Sequence, residues 1–295
     1  LFLIAWFVDS RKETRSAASK VVREYHKKRK EVVFDIPYFY EHVPKTGGVS
    51  FAADLKSHFS LVSCRGRGAI TLPQILKNGT VIQDWTSALQ YKVCDFVNTE
   101  GHFQNTLLKF PTKPKILLMA RDPVAHVISI YTHCQDPSVG SLQKWKHNKS
   151  SIDEWLSLLT LNKDTSHICH MDPRDMQTTR LCAHDWSICK RLVLYDAFFV
   201  ARLEQYDTSL CALFLFMFNG VSMPIYCNGF RPSGITFTQH KTHSAHSSSI
   251  QVSESTIALI IALTPLDHAY SRLAEARFLI DLESLQKKQL HYHHQ

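Results

Sequence analysis

Residues 44–51 read Pro44-Lys45-Thr46-Gly47-Gly48-Val49-Ser50-Phe51, between a β-branched and aromatic run at Val32–His42 and a helix-forming stretch at Val49–Phe59. The run before the motif predicts a buried strand. Gly47 and Gly48 let the backbone turn tightly, and a helix that starts there directs unbonded N–H groups into the turn. Lys45 adds a compact positive charge, and Thr46 and Ser50 add hydroxyl donors. Together these residues describe an anion cradle. The lysine precedes the glycines, so the loop is not a Walker A motif, which places Lys after them. A plain Gly-Gly turn is the simpler reading, but it leaves the lysine and both hydroxyls without a role.

A second motif has the same strand-to-helix context. The apolar run Lys115–Ala120 (KILLMA) predicts a buried strand, and Asp122–His133 predicts a helix with Pro123 in its first turn, where proline is tolerated. Arg121 therefore falls at the carboxyl end of a strand, where open α/β sheets bind ligands. Its planar fork suits a phosphate, and Ser129, two turns along the helix, is placed to share that anion. Repeated strand–loop–helix units predict an α/β fold with a central, mainly parallel sheet flanked by helices. Further helices are expected at Ile152–Leu161, Asp172–Cys182 and Tyr206–Phe218, and a strand at Phe198–Leu203. Two more helices are expected within Ser253–Lys288, broken at Thr264-Pro265. Gln135–Ser150 and Ser233–Ser249 are polar and read as an exposed insertion and a turn-rich loop.

The chain has 295 residues, 44% hydrophobic and 11% aromatic, enough for one sizeable core. Its domain organisation reads as an apolar segment 1–8 (LFLIAWFV), a basic helical stem 9–31 and a single domain 32–290. Eight residues cannot span a bilayer, which takes about 20, so 1–8 is expected to be the tail of a signal anchor or an apolar helix end. The formal net charge of +8 favours anionic partners. The stretch 11–30 carries nine Lys/Arg against two Glu, which is +7 of that +8. The globular domain is thus close to neutral, and any acidic-ligand groove must be a local patch. Charge alone would admit nucleic acid, but no nucleic-acid module is recognisable.

Eight cysteines, with no C-x-x-C pair, exclude a zinc ribbon and a thioredoxin-type redox site. Cys182 and Cys189 are the tightest pair; either a disulfide or buried thiols satisfies the spacing. Cys169, His170, Cys182, His184 and Cys189 match no common zinc spacing. His240, His243 and His246 lie in a polar stretch without carboxylates, so no metal site is expected there either.

The strings HVPKTGG.SF and RDP....S.Y, in this order, resemble the sulfotransferases that use 3′-phosphoadenosine 5′-phosphosulfate, most closely the heparan sulfate 2-O- and 6-O-sulfotransferase group. The resemblance implies a P-loop-like sulfotransferase fold. Lys45, Thr46, Gly47, Gly48, Val49 and Ser50 would then grip the 5′-phosphosulfate, and Arg121 with Ser129 the 3′-phosphate. Val49 departs from the family, which often has Thr or Ser there; one hydroxyl is lost and the backbone N–H is kept. Gly101-His102-Phe103 resembles the family's Gly-His segment, which implies His102 as catalytic base. Gln177–Cys182 resembles a segment that precedes a disulfide, and Leu263–Phe278 resembles the family's terminal helix.

The function so implied is transfer of a sulfuryl group to an acidic or neutral polysaccharide hydroxyl, without a metal. The resemblance also implies a lumenal domain on the Golgi membrane, held only through an N-terminal anchor. His102 suits the role chemically, because neutral imidazole accepts protons near neutral pH, and Lys45 would neutralise charge on the departing phosphate. Two other classes remain open at this stage: a catalytically silent glycan-binding protein on the same fold, and an ATP-dependent P-loop kinase. The kinase reading needs a Walker lysine, which the sequence lacks.

Overall fold

The computed structural model describes residues 37–59, 61–65, 74–75, 81–82, 94–100, 103–110, 112–135, 151–161, 171–217, 227–228, 231–232 and 252–292. The segments 1–8 and 9–31, His102, the 136–150 insertion and the 233–249 loop lie outside them.

In chain order the strands are β1 (Tyr38–Glu41), β2 (Ser63–Arg65), β3 (Gln74–Ile75), β4 (Val81–Ile82), β5 (Phe96–Thr99), β6 (Lys115–Ala120), β7 (Ala197–Arg202), β8 (Cys227–Asn228) and β9 (Arg231–Pro232). The helices are α1 (Gly48–Ser57), α2 (Phe103–Leu107), α3 (Pro123–Gln135), α4 (Ile152–Leu161), α5 (Met176–Cys182), α6 (Trp186–Arg191), α7 (Tyr206–Met217), α8 (Glu254–Leu263) and α9 (Pro265–Tyr292). Five strands form the central sheet in the order β2-β5-β1-β6-β7. Every pairing in it is parallel. β3–β4 and β8–β9 are small antiparallel pairs. The expected α/β architecture is therefore present.

Both faces of the sheet are buried, which is why β1, β6 and β7 read as apolar runs with a charged residue only at one end, Glu41, Lys115 and Arg202. Alternate residues serve opposite layers. Tyr38, Tyr40, Leu117, Met119, Phe199 and Ala201 pack with Phe51 and Leu55 of α1, the apolar helix α7, and Phe278 of α9. Phe39, Ile116, Leu118, Ala120 and Val200 pack with Phe103, Leu181, Cys189 and Tyr270 on the other side. A third cluster joins α3, α4 and α8 around Trp155 and Ile260.

The predicted elements agree with the structure at Lys115–Ala120, Ile152–Leu161 and the break before Pro265. The strand expected at Val32–His42 is present over Tyr38–Glu41, and its residues 32–36 lie outside the described residues. Two others differ. The helix expected from Asp172 starts at Met176. Asp175 is the reason: it takes a left-handed φ of 43°, and its carboxylate turns away to accept the N–H groups of Leu266 and Asp267. In return Asp267 accepts from the N–H groups of Gln177 and Thr178. Two helix N-termini thus cap each other. The second difference is β5, which has no sequence signal because Asn98 and Thr99 leave it only two apolar residues.

Cys182–Cys189 is a disulfide, with Cα atoms 5.3 Å apart, and Cys211–Cys227 is a second. Cys94 and Cys134 are also disulfide-bonded, and no cysteine among the described residues is free. The thiol alternative at Cys182 and Cys189 is thereby removed. No described group of His, Cys, Asp and Glu could hold a metal, and no described helix is long and apolar enough to cross a membrane.

Candidate anion site at the carboxyl edge of the sheet

β1 and β6 are hydrogen-bonded neighbours, so the loops that leave their carboxyl ends start side by side. One is the 44–48 loop and the other begins at Arg121. The Arg121 Nη1 donates to the Lys45 carbonyl oxygen at 2.6 Å. His126, one turn into α3, is fully buried, and its Nε2 lies 2.8 Å from the Pro44 carbonyl oxygen. Two successive carbonyls of the loop are therefore held from the β6–α3 side.

The backbone between them is strained in a specific way. Lys45 has φ 66° and Gly47 φ 80°, both left-handed. That region is uncommon for a lysine, and such residues persist where neighbouring contacts fix them. Left-handed and right-handed residues in succession turn backbone N–H groups towards one concavity, which suits an anion. α1 starts at the end of this turn with no side-chain cap and no acidic residue in its first turn. Among the described residues no backbone acceptor outside α1 takes the N–H groups of Gly47, Gly48 or Val49. Open N–H groups at the positive end of a helix form an anion site.

Both glycines are required sterically. A Cβ on Gly47 would press into the Leu203 side chain, and one on Gly48 would fall inside the His42 ring. That ring lies under the start of α1, stacked on Tyr40, with Nδ1 3.0 Å from a Glu100 carboxylate oxygen.

Arg121 is held on its backbone as well. The Gln177 side-chain amide receives the Arg121 N–H at 3.0 Å and donates to the Arg121 carbonyl at 2.9 Å. Asp122 donates its N–H to Glu204, whose other carboxylate oxygen is bound by Arg202. Asp122 Oδ1 accepts the Ala125 N–H and so caps α3.

Burial lowers the pKa of Arg121, and the nearby Glu204 and Asp122 carboxylates oppose that shift. Burial also lowers His126 to about 4; its bond to Pro44 works the other way, and the Arg121 and Lys45 charges add to the lowering. His126 is therefore a neutral imidazole at neutral pH, donating from Nε2 to Pro44.

The structure brings together Lys45, Thr46, Gly47, Gly48, Val49, Ser50 and Arg121. Thr46 plays a part that differs from the sequence expectation. It is fully buried, and both its hydroxyl and its N–H point back to the Val43 carbonyl, so the threonine closes the turn from inside. Ser50 is buried, while Val49 is 48% exposed at the first turn of α1. Ser129 is half-buried on α3.

His126, Gln177 and Glu204 have a part here that sequence reasoning did not assign. A single histidine or glutamine on a helix gives no pattern to read, because its partner lies 56 or 82 residues away. A cavity of about 250 Å³ between α2 and α6 includes Ile116 and Asp196, at the amino ends of β6 and β7, and none of the anion-site residues.

No protein-family model matches the chain, and no curated protein matches it. Among solved structures it is similar to a sulfotransferase from Alicyclobacillus acidocaldarius, at 15% identity and a TM-score of 0.44, over 86% of this chain and 100% of that one. That likeness is too distant to assign chemistry to any residue of this chain.

Proposed function

We propose that the chain is a sulfotransferase that moves a sulfuryl group from 3′-phosphoadenosine 5′-phosphosulfate to a carbohydrate hydroxyl, with a glycosaminoglycan-like polysaccharide as acceptor. The observation that carries this reading is the uncapped start of α1, whose open N–H groups adjoin a loop latched to Arg121. That arrangement suits a ligand with two separated anionic groups, one against the 44–50 loop and one within reach of the remaining Arg121 donors. Gly47, Gly48 and Val49 would donate backbone N–H groups to the phosphosulfate. Lys45 would stabilise charge on the bridging oxygen, and Arg121 with Ser129 would hold the 3′-phosphate.

In the reaction the acceptor oxygen attacks sulfur in line, a new S–O bond forms, and the bond from sulfur to the phosphate oxygen breaks. His102 takes the acceptor's proton, and the nucleotide leaves as adenosine 3′,5′-bisphosphate. No metal is required where a lysine, an arginine and backbone N–H groups supply the positive field. Disulfides at Cys182–Cys189 and Cys211–Cys227 are consistent with an oxidising compartment and support a Golgi-lumenal setting for this domain.

The test is transfer of radiolabelled sulfate from the donor to a panel of glycosaminoglycans and neutral glycans, with His102→Ala beside the wild type. Labelled glycan with wild type, and loss of label with His102→Ala while the nucleotide still binds, is the expected result. Glycan binding without label would identify a silent binding protein. Near-wild-type turnover of His102→Ala would remove His102 as base.

A further inference from the structure

We infer that Gln177 is a positioning residue for the donor site, acting through Arg121. The inference rests on the reading of the 44–50 loop as the donor site. Gln177 is fully buried on α5. Its amide makes a two-way pair with the Arg121 backbone, accepting at 3.0 Å and donating at 2.9 Å, as a neighbouring strand would at the end of β6. The same pair fixes the amide's orientation, because the flipped amide would set two acceptors and two donors against each other.

Arg121 in turn donates from Nη1 to the Lys45 carbonyl, the carbonyl of a residue in the left-handed region. Gln177 is itself anchored, because the Asp267 carboxylate at the start of α9 accepts its backbone N–H at 3.0 Å. A continuous polar path therefore runs from α9 through α5 and the end of β6 to the Lys45 peptide. Its effect is to fix where the guanidinium and the Lys45 carbonyl sit before any ligand arrives. Preorganisation of this kind lowers the ordering penalty of binding.

Gln177→Met keeps length and volume and removes both hydrogen bonds. It is expected to weaken binding of adenosine 3′,5′-bisphosphate about tenfold by titration calorimetry, which is what loss of one well-placed buried hydrogen-bond pair brings. The same substitution placed in an Arg121→Ala background is expected to change nucleotide affinity less than twofold, because Gln177 reaches the ligand only through Arg121. A merely structural role would weaken binding equally in both backgrounds.

Hydrogen exchange of the Thr46 amide, which donates to the Val43 carbonyl inside the latched turn, gives a readout that needs no nucleotide. Exchange there should quicken in both Gln177→Met and Arg121→Ala. Should Gln177→Met not fold, Gln177→Glu, which keeps the acceptor and loses the donor, carries the same comparisons. Equal losses in the two backgrounds, or unchanged exchange at Thr46, would overturn the inference. Faster exchange in the two variants, together with a wild type that binds no bisphosphate, would instead leave the latch standing and sink the donor-site reading.

Discussion

Arg121 Nη1 and the Lys45 carbonyl oxygen, 76 residues apart in sequence, are 2.6 Å apart in the structure. The bond links the two sequence motifs directly, and it does so through the peptide of the residue that would face the leaving phosphate. One guanidinium donor holds the loop, and under the proposed function the others would meet a phosphate. Arg121→Lys keeps the charge but has no fork to serve both. It is expected to lose at least tenfold in nucleotide affinity, nearly as much as Arg121→Ala, by titration calorimetry. Wild-type affinity in the lysine variant would show that only the charge matters.

The glycines give a stability prediction. Gly47→Ala forces a side chain into φ 80° and against Leu203, at a penalty of about 1–2 kcal/mol for the left-handed backbone alone. Gly48→Ala drives its Cβ into the buried His42 ring and should be the more damaging of the two. Urea unfolding orders the pair. A Gly48→Ala variant as stable as wild type would mean that His42 moves freely.

His126 and Asp267 are fully buried and titrate in opposite senses. His126 falls from 6.5 to about 4 on folding, chiefly through desolvation, so the unfolded chain gains this proton first as the solution is acidified. Its contribution is complete above pH 6.5 and is lost as pH falls towards 4, about 3 kcal/mol in all. Asp267 rises from 3.8 to about 6, again mainly by desolvation, so the folded chain takes up its proton first. Its contribution is complete below pH 3.8 and is lost as pH rises through 6, also about 3 kcal/mol. Relative to wild type, His126→Phe should gain stability between pH 6.5 and 4, and Asp267→Asn should lose it over a similar window. Urea midpoints at pH 7 and pH 4.5 read both signs, and parallel profiles for all three proteins would contradict the assignment.

Cys182–Cys189 closes a short loop between α5 and α6 with both sulfurs buried. Replacing both by serine is expected to reduce stability by about 2–3 kcal/mol from chain entropy. The loss should also loosen α5, which carries Gln177. Thermal unfolding with and without reductant checks the first effect, and nucleotide affinity of the double serine variant checks the second. Unchanged affinity would separate the disulfide from the donor site.

Much of the fold was legible because its central strands are buried on both faces. KILLMA and the 197–202 run are polar only at one end, at Lys115 and Arg202, and Pro123 and Pro265 mark helix starts by their fixed φ. β5 was not legible: four residues with Asn98 and Thr99 look like a loop until β1 and β2 hydrogen-bond on either side. Thr46 was misread for a related reason. A hydroxyl in a glycine-rich loop suits a ligand by composition, and only the turn's geometry shows that it points at Val43.

The sequence by itself determined an α/β chain with a lysine- and glycine-rich turn after one strand and an arginine after another, because both features are local patterns of residue type and spacing. Tertiary structure alone decided that these two strands are neighbours. It also turned Lys45 left-handed, so that its carbonyl meets Arg121, and set Gln177 and His126 behind them. Those are contacts across 56 to 82 residues. Sequence spacing cannot express them, because they arise from which strand packs beside which and which helix end is left without a cap.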